Sequence, residues 1–323
     1  MRTLAIIHTG GLGDFLQTFP VLEAARRRWP GVRITIIGRG EWMPLAAAAG
    51  LAEATLSADC CGLHRLFVES AEAACVPAAL GEAEAIVSFL PHPALGRNLA
   101  KLTRARVVEA RSFPSPGECA VPAAQFVYDQ VAPELGLPAA EAVPRVRCDG
   151  DSAAAREVAR RWPGLGESVA IAPGSGSRAK NWPLNRFVAL SERLAAAGRP
   201  TVWLLGPAEL EREEFARLLG KATQPRAAVP LPRDRALAGE PIVTVAAALS
   251  AVWCCVSNDS GVAQLSAALG RPTTILLGPS DAGVWGPRGN HVRQVVSTTG
   301  EMVSISLEEV AAAIGTMCWP RWI

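Results

Sequence analysis

The chain has 323 residues, half of them apolar, with 32 basic against 30 acidic side chains and a formal net charge of +2. That length is enough for two domains, each with a sizeable core, and the near-neutral balance excludes the dense basic face of a nucleic-acid-binding protein. The eight cysteines form no CxxC or His/Cys zinc spacing, which argues against a structural metal; with Cys254 and Cys255 in an expected buried strand, most read as reduced core thiols.

In chain order, Leu4 to His8 reads as a strand, Phe15 to Trp29 as a helix, and Arg33 to Ile37, Ala85 to Phe89 and Arg106 to Glu109 as strands. A Pro-bearing connector, Leu137 to Pro144, follows. Ser168 to Ala172, Pro200 to Leu205, Val252 to Ser257 and Thr273 to Leu277 are then strands, alternating with helices at Leu184 to Ala197, Glu209 to Leu219 and Val262 to Ala268. Leu307 to Ile314 reads as a last helix before Trp319-Pro-Arg-Trp322. Strand–helix alternation of this kind makes parallel sheets covered by crossover helices. The expected architecture is α/β with two Rossmann-like, doubly wound domains facing a cleft, over 1–150 and 151–305. The tail, 306–323, is a candidate for packing back on the first domain. No window reaches the ~18 to 20 apolar residues of a spanning helix, and the first apolar run is too short for a signal peptide. The expected compartment is the cytoplasm.

Four strand-to-helix turns carry the chemistry. The first is Thr9-Gly10-Gly11-Leu12-Gly13-Asp14. It misses the dinucleotide fingerprint because Phe15 stands where a small residue is required, and Ile36-Ile37-Gly38-Arg39 offers no acid at the end of the second strand. A nicotinamide-linked dehydrogenase is disfavoured on both counts. Gly10, Gly11 and Gly13 instead let a ligand approach the backbone at a strand's carboxyl end. Asp14 is then either a group aimed at the cleft or an ordinary helix N-cap. The second turn, Pro173 to Pro183, joins Ser175, Ser177, Arg178 and Lys180 in a plausible diphosphate cradle that is not a Walker loop. Lys180 stands out because the chain otherwise uses arginine, its other lysines being Lys101 and Lys221. A solvated loop with incidental charge is the competing explanation. The third, Gly206-Pro207-Ala208-Glu209, places an acid where it can accept ribose hydroxyls or simply complement a helix dipole. The fourth, Ser257-Asn258-Asp259-Ser260-Gly261, leads from an apolar strand into an Ala/Leu-rich helix, a ready anion site; Asp259 or Ser260 also suits a plain N-cap. His8, at the end of the first strand, is either a cleft-facing group or a satisfied structural histidine.

Taken together these segments resemble the glycosyltransferase family 9, the ADP-heptose–lipopolysaccharide heptosyltransferases. The motifs that carry the resemblance are Gly10 to Asp14 with Thr18 to Leu22, Pro173-Gly174-Ser175 with Lys180 to Pro183, Gly206 to Glu209, Ser257 to Gly261, and Leu277 to Asp281. The resemblance implies a GT-B fold and an inverting, metal-independent sugar transfer with no cofactor beyond the nucleotide-sugar substrate. It implies an N-terminal acceptor domain and a C-terminal donor domain. Asp14 matches the catalytic base and Lys180 the lysine on the donor phosphates. Ser175, Glu209 (with Glu211 as the alternative), Asp259, Ser260 and Gly261 match donor-binding positions, and Gly10, Gly11 and Gly13 the acceptor-side loop. Gln264 departs from the pattern, standing where the lipopolysaccharide enzymes often carry histidine. The expected donor is ADP-heptose and the expected acceptor a lipopolysaccharide core or related glycan. Arg65, Arg97, Lys101, Arg104 and Arg106 are a candidate basic rim for it, with peripheral contact at the cytoplasmic face of the inner membrane. A nucleotide-sugar epimerase or hydrolase, or a non-catalytic nucleotide-binding protein of the same fold, is the alternative.

Overall fold

The computed structural model describes residues 1–115, 117–118, 121–218 and 236–318. The chain divides into two compact units, Met1–Arg147 and Cys148–Ile323.

The first unit is built on a five-stranded sheet of β1 (Thr3–His8), β2 (Arg33–Gly38), β3 (Ala54–Ser57), β4 (Ala85–Ser88) and β5 (Arg106–Glu109), in the order β3-β2-β1-β4-β5. Every pairing is parallel. Leu4 to Ile7 of β1 are at most 1% exposed, as an all-apolar central strand must be when helices cover both faces. Its helices are α1 (Leu12–Leu16), α2 (Phe19–Arg28), α3 (Pro44–Ala48), α4 (Ala78–Gly81), α5 (Pro93–Leu102) and α6 (Ala123–Leu135). Strand order reverses between β1 and β4, so the glycine turn after His8 stands at the switch point where open sheets take ligands.

The second unit repeats this logic with six parallel strands. In chain order its elements are α7 (Ala153–Arg161), β6 (Val169–Ala172), α8 (Leu184–Ala196), β7 (Thr201–Leu205), α9 (Pro207–Leu210), α10 (Glu213–Leu218), β8 (Ala236–Ala238), α11 (Ile242–Ala251), β9 (Cys254–Asn258), α12 (Gly261–Ala268), β10 (Thr273–Leu277), α13 (Ala282–Trp285), β11 (Val292–Val296) and α14 (Leu307–Cys318). The sheet order is β11-β10-β9-β6-β7-β8. Leu276 of β10 packs into one cluster with Trp182, Phe187, Trp203, Val310 and Ile314. Its neighbours Ile275 and Leu277 point the other way, to Ala263, Ala267 and Val292. Both faces of the sheet are therefore covered. The final helix α14 lies against β10, β11 and α8, within the second unit; Trp319 to Trp322 lie outside the described residues.

Several expected elements divide or shift. The helix read over Phe15 to Trp29 is two helices, α1 and α2. Pro20, in the first turn of α2, has no N–H to continue the ladder, and Thr18 Oγ1 donates to the Phe15 carbonyl at 2.7 Å across the break. The helix read from Glu209 likewise divides at Glu211–Arg212 into α9 and α10. The short β3, β8 and β11 had no apolar run to announce them; β11, Val-Arg-Gln-Val-Val, is an edge strand with an exposed polar side.

Gly38 shows how tightly the first sheet closes at its carboxyl edge: a methyl group there would collide with the His8 carbonyl oxygen, while Gly40 has nothing within 4 Å. Gly38→Ala is expected to lower stability by about 1–3 kcal/mol, the usual cost of overpacking, and Gly40→Ala by less than about 0.5 kcal/mol, read from urea unfolding midpoints.

Candidate functional site

At the carboxyl edge of the first sheet, Gly11 is the N-cap of α1 and makes no side-chain cap. Asp14 is thus not the N-cap; it sits in the first turn, where the helix dipole favours a carboxylate. A Cβ at Gly10 would lie 2.9 Å from His8 Cε1 and 3.2 Å from Asp14 Oδ2. A side chain at this position would crowd both the imidazole and the carboxylate, so the turn takes glycine. His8 is 2% exposed, its ring 5.5 Å from that of Phe15 and 5.8 Å from that of Phe89. Its Nε2 lies 3.4 Å from Ser112 Oγ. Burial pushes its pKa down to about 4, so at neutral pH it is a neutral packing histidine that brings no positive charge to Asp14. Of the basic rim, Arg65, Arg97, Lys101 and Arg104 are exposed, and Arg106 is matched by Glu134 at 2.9 Å.

In the second unit the strand order reverses between β6 and β9. The Pro173–Pro183 loop leaves β6 and the Asp259-Ser260 turn leaves β9, so the two flank the switch point. Asn258, fully buried at the end of β9, ties them together. Its Nδ2 donates to the Pro173 carbonyl at 2.6 Å and its Oδ1 accepts from the Trp182 N–H at 3.0 Å. Trp182 anchors the far end of the loop: its ring packs edge-on to Phe187 and its Nε1–H donates to the Ile305 carbonyl at 2.8 Å. Ser175 Oγ lies 2.7 Å from the Ser177 carbonyl and 2.6 Å from Asn181 Oδ1; its single hydrogen serves one of them at a time, and the contacts hold the loop in shape.

Held this way, the loop delivers Lys180 to Asp259, Nζ to Oδ2 at 2.8 Å. Asp259 is 7% exposed and accepts a second hydrogen bond on the same oxygen from Ser280 Oγ at 2.5 Å. Ser260 is the N-cap of α12, its Oγ accepting from the Ala263 N–H at 3.4 Å. The first-turn N–H groups beyond it, at Gly261 and Val262, have no carbonyl partner within the helix and point off its positive end. Lys180 Nζ lies 5.8 Å from the centre of the Trp285 ring, close enough for a cation–π contact. Gln264, mostly buried, donates to the Trp285 carbonyl at 2.5 Å and so ties α13 to α12.

Glu209 faces inward. It is 8% exposed, its Oε2 accepts from the Gly206 N–H at 2.9 Å, and its carboxyl group packs on Gly174, where a methyl group would collide with it. Burial raises its pKa above the ordinary carboxylate range, partly offset by that hydrogen bond. Glu211 instead lines a groove of about 540 Å³ with Arg178, Asn181, Trp182 and Arg212. Asn258 and Ser280 lie within motifs that carry the family resemblance, and Trp285 follows shortly after the second of them, but the sequence assigns none of the three a role; their hydrogen bonds and the ring contact bring them into this cluster.

The family model described as glycosyltransferase family 9 (heptosyltransferase) matches residues 94–313, more than half of the chain. The chain belongs to glycosyltransferase family 9. Among solved structures, the family 9 glycosyl transferase from Veillonella parvula aligns with TM-score 0.76 and 18% identity, over 98% of this chain and 97% of that one. E. coli heptosyltransferase WaaC with ADP aligns at 0.71 and 19%, over 98% and 99%. E. coli ADP-heptose lps heptosyltransferase II aligns at 0.70 and 18%, over 98% of each chain. No curated protein matches in sequence. The fold is therefore GT-B, two parallel-sheet α/β domains, and the chain is a glycosyltransferase of the heptosyltransferase family. The family match takes in Lys180, Glu209, Asp259 and Ser280 and begins after Asp14. Among the described residues no helix is long and apolar enough to cross a membrane.

The depressed His8 pKa has a consequence for stability. The unfolded state takes up a proton near pH 6.5 and the folded state only near 4, so the stability is complete above pH 6.5 and is lost as pH falls through 4. The difference is about 3 kcal/mol. His8→Phe, which cannot titrate, is expected to lose less stability than the wild-type protein between pH 7 and 4, measured as urea midpoints at each pH.

Proposed function

We propose that this protein transfers a sugar, with inversion and without a metal, from a nucleoside diphosphate donor to a glycan acceptor, the donor being ADP-heptose and the acceptor a lipopolysaccharide core or related glycolipid. The observation that carries this is the meeting of Lys180 with the Asp259-Ser260-Gly261 turn at the strand-order reversal of the second unit. A leaving nucleoside diphosphate gains negative charge in the transition state. A lysine ammonium and the N–H groups opening an eight-residue helix are suited to stabilise that charge. The ADP in the WaaC structure supports a nucleotide donor of this class.

In this reading Lys180 and the N–H groups of Gly261 and Val262 receive the diphosphate, with Ser175 and Ser260 hydroxyls beside it. Glu211, on the groove, is better placed than the buried Glu209 to accept ribose hydroxyls. Glu209 braces the loop from beneath through Gly174. Asp14 is the general base that takes the proton from the acceptor hydroxyl as it attacks the anomeric carbon. The glycine turn at Gly10, Gly11 and Gly13 leaves room for that acceptor. The protein works at the cytoplasmic face of the inner membrane, where exposed Arg65, Arg97, Lys101 and Arg104 suit an acidic glycolipid.

A thermal-shift panel of ADP, UDP, GDP and their sugars tests the donor class, since a ligand of the folded state raises apparent stability by mass action; ADP and ADP-heptose are expected to shift the transition, and a flat panel would overturn the reading. With the donor and acceptor in hand, Asp14→Asn is expected to cut turnover ~10²- to 10⁴-fold while donor affinity holds. Lys180→Ala is expected to weaken donor binding and turnover together. Steady-state kinetics with a separate measurement of donor Kd distinguish the two; product formed from donor alone, with no acceptor, would point to a hydrolase or epimerase instead.

A further inference from the structure

We propose that Ser280 is a positioning residue that sets Lys180 through Asp259, an inference that rests on the donor-site reading above. The problem it solves is electrostatic. Asp259 stands beside the N-cap of α12, where a diphosphate is to bind, and an unmatched carboxylate there would repel it. Two strong donors converge on one oxygen: Lys180 Nζ at 2.8 Å and Ser280 Oγ at 2.5 Å meet Asp259 Oδ2. Charge-assisted hydrogen bonds of this kind hold the carboxylate in one orientation. The carboxylate in turn draws the ammonium to a fixed point, and a lysine ammonium spends one of its three N–H donors on it. Two remain for a phosphate. The ammonium also lies over the Trp285 ring, 5.8 Å from its centre, so a long flexible side chain, one-third exposed, has both a carboxylate and an aromatic ring to hold it.

Ser280 comes from a separate element, the Gly278-Pro279-Ser280-Asp281 turn after β10, and Asp281 of that turn is already used as the N-cap of α13, accepting from the Gly283 N–H at 2.8 Å. The two polar side chains of the turn therefore divide their work: Asp281 shapes the turn, and Ser280 reaches back to Asp259. In this reading the effect of Ser280 on the donor passes through the Asp259 carboxylate.

The chain has three lysines, Lys101, Lys180 and Lys221, which makes the proposal readable in the full-length protein. After reductive ¹³C-methylation, which preserves the charge and one N–H donor, the NMR signal of Lys180 is assigned by its loss in Lys180→Arg. Ser280→Ala is expected to move the Lys180 signal and leave those of Lys101 and Lys221 in place. It is also expected to weaken ADP binding by about 3- to 10-fold in unmethylated protein, the effect of losing one hydrogen bond to a charged group acting indirectly. Ser280→Thr, which keeps the hydroxyl, restores both readouts. In a Lys180→Ala background Ser280→Ala has no further effect on ADP affinity. An unmoved Lys180 signal in Ser280→Ala, or an equal loss of affinity in both backgrounds, overturns the proposal, because a turn that merely keeps the fold would act without regard to Lys180. If Ser280→Ala moves the signal but neither ADP, UDP nor inorganic pyrophosphate moves it in the wild-type protein, the positioning stands and the diphosphate assignment falls.

Discussion

The second unit depends on one buried amide. Asn258 closes β9 and bonds both ends of the Pro173–Pro183 loop, accepting from one backbone N–H and donating to one backbone carbonyl. Burial makes that bridge obligatory: without it a peptide N–H and a carbonyl would be left in a dry interior, at about 1–3 kcal/mol each. The consequence is geometric as well as energetic. A loop containing Gly174 and Gly176 has many conformations of its own. Pinned at Pro173 and Trp182, it has few, and Lys180 is carried to Asp259 as a result.

The carboxyl edges of the two sheets solve a common problem differently. In the second unit, charge is gathered and balanced: an ammonium, a carboxylate and a hydroxyl share one oxygen beside a helix N-terminus. In the first, the histidine beside the glycine turn adds no charge: burial among Phe15 and Phe89 strips His8 of its proton, because desolvation disfavours the charged imidazolium.

Much of this is legible in the amino-acid sequence. The strand–turn–helix rhythm, the placement of the glycine turn, and the unusual lysine in an arginine-using chain all follow from local pattern. So did the four turns whose order along the chain resembles one family, a resemblance that the family match then bore out over residues 94–313. What local pattern missed has a physical cause in each case. Pro20 divides α1 from α2, yet the apolar periodicity runs through it unbroken. β11 alternates with exposed polar residues because it is an edge strand. Glu209 has the same first-turn position whether it faces solvent or packs beneath Gly174, and periodicity in a four-residue helix does not distinguish them.

The amino-acid sequence by itself determined the fold class, the run of strands and helices, and the chemistry available at each turn, because backbone propensity, apolar spacing and side-chain type are local properties. It left open which turns meet. Lys180 and Asp259 are 79 residues apart and Ser280 lies 21 beyond Asp259; only the strand order, with β9 beside β6 and β10 beside β9, brings all three to one oxygen atom. Tertiary structure decided that Asp14 sits within a helix's first turn instead of capping it, that His8 is neutral, and that Glu209 is buried. Each of those outcomes rests on how much water the surrounding packing excludes and on which distant backbone groups come within hydrogen-bonding reach.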